Sequence, residues 1–168
     1  MIAAVILAAG AATRFGSPKQ RLLLPGLLER VRASCVDDVV VVLGAHEVGT
    51  DARTVRAPDW ERGPGASLRA GLEALSPEAQ AAVVLLADGP NLAPAAIDRV
   101  VEAWRADGSP VLAASYGGVR GHPVLLVRAV WASVPDEGAR ALEPRLVPCD
   151  DLGAPGDVDS ADDLEPLS

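Results

Sequence analysis

The chain predicts a three-layer α/β fold with a mostly parallel central sheet, and three observations carry that reading. Runs rich in Val, Ile and Leu recur along the length. They are continuous, as in strands buried on both faces, and do not alternate as half-exposed strands do. Helical patterns separate them, and a glycine-bearing loop follows the first run. That is the order of repeated strand–helix units. In such sheets ligands bind beyond the carboxyl ends of the strands.

Ile2–Leu7 reads as the first strand. The segment LAAGAATRFGSPKQ follows it and holds Lys19, the one lysine of the chain, against fourteen arginines elsewhere. Backbone N–H groups of Gly10 to Thr13 can point at phosphate oxygens, and Ala8, Ala9, Gly10, Ala11 and Ala12 let a ligand approach closely. Lys19 adds a compact point charge and Arg14 a planar fork. The loop is not a Walker loop and lacks G-x-G-x-x-G, which argues against a dinucleotide fingerprint.

Leu27–Ser34 reads as the first helix, because Leu24-Pro25-Gly26 looks like its boundary. Val39–Leu43 is the next strand. ERGPGASLRAGL is a glycine-rich turn running into a helix over Ser67–Leu75. Ser67 either caps that helix or, with nearby N–H groups, contacts a nucleotide; Arg69 points to phosphate or to solvent. Val83–Ala87 is a buried strand, and ADGPN puts Asp88 directly after it. Magnesium takes one or two carboxylates plus substrate phosphate oxygens, so Asp88 is the first metal candidate. As a plain alternative, Asp-Gly-Pro makes a turn.

Pro94–Arg105 is a helix with proline in its first turn. Val111–Ser115 and Val124–Val127 are further strands, and RGHPVLL shapes a loop before the latter, at a mouth where an acceptor could sit. Shorter helical pieces cover Ala129–Ser133, Glu137–Leu142 and Ser160–Leu164. In DVDSADDL, Asp157 and Asp159 share a face if the stretch is extended, and either could complete a metal site with Asp88. The alternative is a helix cap with Asp162 and Asp163 in the first turn.

At 168 residues the whole chain, 1–168, suits one domain. Apolar residues make up 49% but aromatics only 3%, so the core is built from Ala, Val and Leu. A net charge of −8 disfavours nucleic acid as a partner, and Trp60, Trp104 and Trp131 are too scattered for a stacking platform. Residues 1–35 are basic, with Arg14, Lys19, Arg21, Arg30 and Arg32 against Glu29 alone. The apolar start of about eight residues is too short to span a membrane and lacks a basic flank. Cys35 and Cys149 read as reduced packing cysteines of a cytoplasmic protein. Covalent acyl chemistry has no support, since no Ser/His/Asp or Cys/His arrangement stands out.

These residues resemble a known family. LAAGAATRFGSPKQ resembles the signature of nucleotidyltransferases with a glycosyltransferase-A-like fold, the nucleotide-diphospho-sugar transferase type of Rossmann-like architecture. ERGPGASLRAGL, ADGPN, RGHPVLL, PDEGARAL and DVDSADDL, in this order, resemble the molybdenum cofactor cytidylyltransferases, from Met1 to about Leu164. The resemblance implies CTP as donor, Mg2+ as cofactor and a molybdopterin-type phosphate as acceptor. It implies a nucleotide site of Leu7, Ala8, Ala9, Gly10, Thr13, Arg14, Lys19, Ser67 and Asp88. Arg14 and Lys19 would hold the triphosphate, Asp88 the metal, with Asp159 or Asp157 as the open choice for its second carboxylate, and Gly121, His122 and Pro123 the acceptor. Ala9, where guanylyl-transferring relatives tend to have glycine, points to CTP over GTP. A molybdenum oxidoreductase or its chaperone is the implied partner.

The chain departs from that pattern in its short stretch between Lys19 and the second strand, where relatives carry a loop and a full helix. Two other readings follow: transfer to a sugar or polyol phosphate by the same loop, and a non-catalytic cofactor-binding or chaperone module.

Overall fold

The computed structural model describes residues 1–8, 19–44, 50–87 and 91–153, with only the backbone of residues 19–22. Its elements are β1 (Ile2–Ala8), α1 (Lys19–Arg32), β2 (Asp38–Leu43), β3 (Arg53–Arg56), α2 (Pro64–Glu73), β4 (Ala81–Leu86), α3 (Pro94–Asp107), β5 (Val111–Tyr116), β6 (Val119–Val127) and β7 (Arg145–Pro148). Short 3-10 turns join several of them. The strands form one seven-stranded sheet in the order β3-β2-β1-β4-β6-β5-β7. Only β6 runs against its neighbours.

The continuous apolar runs do what such runs predict. Alternate residues of each central strand feed opposite faces. Ile2, Ala4 and Ile6 of β1 and Val83 and Leu85 of β4 pack with Leu24, Leu27 and Val31 of α1 and Ile97 and Val100 of α3. Ala3, Val5, Val40, Val42, Ala82 and Val84 face the other way, onto Leu68 and Leu72 of α2 and onto Trp131. Three layers result, with α1 and α3 on one face and α2 on the other. Gly71 lets α2 lie close to the sheet, because a Cβ there would stand 2.6 Å from a Val42 methyl and 2.7 Å from one of Val5.

Four sequence expectations need correction. First, α1 starts at Lys19 and passes through Pro25, where a boundary was expected, so a full helix does follow the loop. Proline costs that helix a hydrogen bond, yet Leu24, Leu27, Leu28 and Val31 are all buried and hold it against the sheet. Second, β6 begins at Val119, so Gly121, His122 and Pro123 are strand and not loop. Its register against β5 slips between Ala113 and Ser115, and a proline fits where the ladder is interrupted. Third, β3 and β7 were not foreseen; they are four-residue edge strands with mostly exposed side chains, and lack an apolar run. Fourth, Cys35 is exposed, whereas Cys149 is buried as expected. The helical piece expected over Ser160–Leu164 lies outside the described residues.

Candidate active site

The carboxyl ends of β1 and β4 lie side by side, with Leu7 opposite Leu86 and the Ala87 N–H donating to the Leu7 carbonyl at 3.0 Å. A cleft of about 610 Å³ opens at this edge. Strand residues of β1 and β4 line it, with Leu92, Leu27 of α1, Pro64 and Leu68 of α2, the β5–β6 hairpin and residues 137–140. This is the edge at which parallel α/β sheets bind ligands.

Of the residues singled out in the sequence, Leu7, Gly121 and His122 line the cleft. Ala8 ends β1 and is buried. Pro123 is buried beside the cleft without lining it. Lys19 is the first residue of α1. Ser67 is buried as the fourth residue of α2 and caps nothing; Gly63 occupies the N-cap and Pro64 the first helical position. Ala9, Gly10, Thr13, Arg14, Asp88 and Asp159 lie outside the described residues, as does Asp157. Among the described residues no group of three His, Cys, Asp or Glu could hold a metal ion. The carboxylates that chain order offers, Asp88 first among them, are hard oxygen donors whose chemistry suits magnesium.

Packing fixes the β6 residues of the cleft tightly. A Cβ on Gly121 would meet the Tyr116 ring at 3.0 Å, so only glycine lets the ring lie flat against this strand. The Tyr116 hydroxyl donates to the His122 carbonyl at 2.8 Å. Burial, with the neighbouring Cys149, pushes the Tyr116 phenol up to about 12.

The opposite wall is the segment carrying Val134 to Leu142, and arginines hold it. Arg69 donates to the Val134 carbonyl and to the Asp136 carboxylate, both at 2.6 Å. The sequence offered phosphate or solvent for Arg69; its guanidinium instead bonds to this segment and stays partly exposed. That hydrogen bond is the main cause of the Asp136 carboxyl lying below its ordinary range, and the Arg62 charge adds to it. The Gly65 N–H donates to the Asp136 carbonyl at 2.9 Å. Arg120, on β6, donates to the carbonyls of Ala139, Arg140 and Leu142 at 3.2, 3.3 and 2.8 Å. Charge-assisted bonds of this kind are stronger than neutral ones. Sequence reasoning noted PDEGARAL only as a motif. It missed Tyr116, Arg120, Glu137 and Arg140 as cleft residues, and their exposed, polar neighbours gave no apolar signal to find them by.

Residues 4–145 match the MobA-like NTP transferase domain. The chain belongs to this family. A "Probable molybdenum cofactor guanylyltransferase" of Chloroflexus aggregans is 32% identical over 126 residues, 69% of this chain. The match spans 59% of that relative's length. Among solved structures, Rv0371c of Mycobacterium tuberculosis H37Rv superposes with a TM-score of 0.80 at 30% identity, covering 99% of this chain and 97% of that one. Rv0371c in complex with manganese superposes at 0.75 with 27% identity, over 99% and 97% of the two chains. The glycosyltransferase-A-like architecture expected from the sequence is the one observed for this MobA-like domain. No helix among the described residues is long and apolar enough to cross a membrane.

Proposed function

We propose that the protein is a nucleotidyltransferase that moves CMP from CTP to a molybdopterin-type phosphate and releases pyrophosphate. The observation that carries the reading is the juxtaposition at the sheet edge. β1, which the loop follows in the chain, pairs in parallel with β4, which ends two residues before Asp88, and α1 begins after that loop at Lys19. A helix N-terminus and a lysine together favour a polyphosphate. Membership of the MobA-like family supports the same chemistry.

In this reading Leu7, Ala8, Ala9, Gly10 and Thr13 give backbone contacts to the nucleotide, with Ser67 from α2. Arg14 and Lys19 bind the triphosphate and stabilise charge on the leaving pyrophosphate. Gly121, His122 and Pro123 position the acceptor, so that its phosphate oxygen attacks the α-phosphorus in line. Asp88 and Asp159 would hold a divalent cation, which supplies neutralisation of phosphate charge. The manganese complex of Rv0371c supports such a cation.

GTP is the second reading, favoured by the guanylyltransferase name of the Chloroflexus aggregans relative. Ala9 favours CTP. Calorimetric titration of CTP and GTP, with and without magnesium, tests both. Magnesium-dependent binding of CTP well above GTP supports the first reading, and the reverse preference supports the second. No binding of either nucleotide removes the transferase and leaves the cofactor-binding module.

A further inference from the structure

The segment that follows β6 along the cleft is held far more firmly than a surface connection requires. Over Val134 to Leu142 it receives Arg69 on a carbonyl and a carboxylate, the Gly65 N–H on a second carbonyl, and Arg120 on three more. Its contact with α2 is so close that a Cβ on Gly65 would stand 1.6 Å from the Pro135 carbonyl oxygen. Backbone fixed this way can carry a side chain that must meet a ligand in one place.

Three charged residues line the cleft here: Arg120 on β6, and Glu137 and Arg140 on the segment itself. They are not equivalent. The guanidinium of Arg120 is committed to backbone carbonyls. Arg140 is exposed and makes no side-chain bond to a described residue, Glu137 included, although Glu137 stands three positions earlier on the same segment. Arg140 lines the cleft, and Arg120 donates to its carbonyl at 3.3 Å. In a chain of net charge −8, an arginine at a cleft wall with no side-chain partner among the described residues is available to an anion. A planar guanidinium pairs with the oxygens of a phosphoryl group through two parallel bonds.

We propose that Arg140 binds the phosphoryl group of the acceptor, and that Arg69 and Arg120 are positioning residues that hold its backbone. The inference rests on the transferase reading and names the acceptor contact of that same site. Arg140 would grip the acceptor's phosphate at the cleft wall, and so select phosphorylated over dephosphorylated acceptors.

The test uses the full chain, Arg140→Gln and Arg140→Lys, in two assays. In transfer assays with molybdopterin, Arg140→Gln should raise the acceptor KM about tenfold or more, with nucleotide affinity within about twofold of wild type. Arg140→Lys should recover only part, since lysine offers charge without the fork. Arg69→Gln should raise the acceptor KM in the same sense while leaving nucleotide affinity alone, and Arg69→Lys should rescue it partly. An acceptor KM in Arg140→Gln equal to wild type overturns the proposal. In the second assay inorganic phosphate is titrated into the protein while the Arg140 side-chain Nε–H resonance, assigned by its loss in Arg140→Lys, is followed. Saturable movement that sodium chloride at matched ionic strength does not cause supports the anion site, and no movement overturns it. A wild-type protein that transfers nothing to molybdopterin sinks the reaction, while the phosphate titration still decides the site.

Discussion

Replacing Gly65 by alanine would drive a methyl group into the backbone that closes the cleft. The new Cβ would lie 1.6 Å from the Pro135 oxygen, 2.6 Å from its carbonyl carbon and 2.8 Å from the Asp136 carbonyl carbon. All three are main-chain atoms, so no side chain can swing aside. Real Cβ atoms essentially never approach within 3.0 Å, and the segment must retreat from α2 by about 1.4 Å. That retreat would stretch the 2.9 Å bond from the Gly65 N–H to the Asp136 carbonyl and the 2.6 Å bonds from Arg69. Overpacking costs about 1–3 kcal/mol and an orphaned backbone bond about 1 kcal/mol more. At about 2–4 °C per kcal/mol for a chain of this size, Tm should fall by roughly 5–15 °C. Thermal unfolding followed by circular dichroism reads that change. The same variant should raise the acceptor KM, because residues 137–140 move with the segment. A Tm within about 2 °C of wild type, with the acceptor KM unchanged, would refute the docking of this wall on α2.

Three further outcomes are expected. Tyr116 is the sole tyrosine, so the near-ultraviolet phenolate band titrates it alone. Its midpoint should sit at about 12 in the folded protein against 10.0 for a free phenol. A folded value raised above the unfolded one means that its contribution is whole below pH 10 and is lost as pH rises towards 12; a midpoint at 10.0 would show the ring to be exposed. Gly26→Ala lies within α1 with nothing within 4 Å of the added methyl. It should stabilise the protein by about 0.4–1 kcal/mol in a urea titration, and a loss of stability there would argue against a helix that continues through Pro25. Lys19→Ala should cost about 100-fold in turnover, the size of losing one charge-stabilising donor, and near-wild-type turnover in a direct assay would remove Lys19 from the site.

Much of this fold could be read from residue order. β1, β2, β4 and β5 were legible because strands buried on both faces must be apolar throughout, and α3 because Pro94 starts it and its apolar face repeats at helical spacing. The edge strands β3 and β7 escaped notice because a strand with one open side has no such demand on its sequence. Pro25 pointed to a helix boundary, and the burial of Leu24 and Leu27 outweighed it. The site divides in the same way. Lys19 drew attention as a lone lysine after a glycine loop, and Leu7, Gly121 and His122 were found through their motifs.

By itself the sequence determined the layer order, and it pointed to an edge of the sheet where a ligand would bind and to a loop that would meet it. Those follow from local properties: apolar run length, turn residues and charge. Only the tertiary structure decided what walls the cleft. Arg69 lies 65 residues from Val134 and 67 from Asp136 in the chain, and Arg120 reaches 22 residues to Leu142. Bonds over such separations leave no periodic trace in the sequence, since they form between side chains and carbonyls that meet only when α2 and β6 pack on the same sheet.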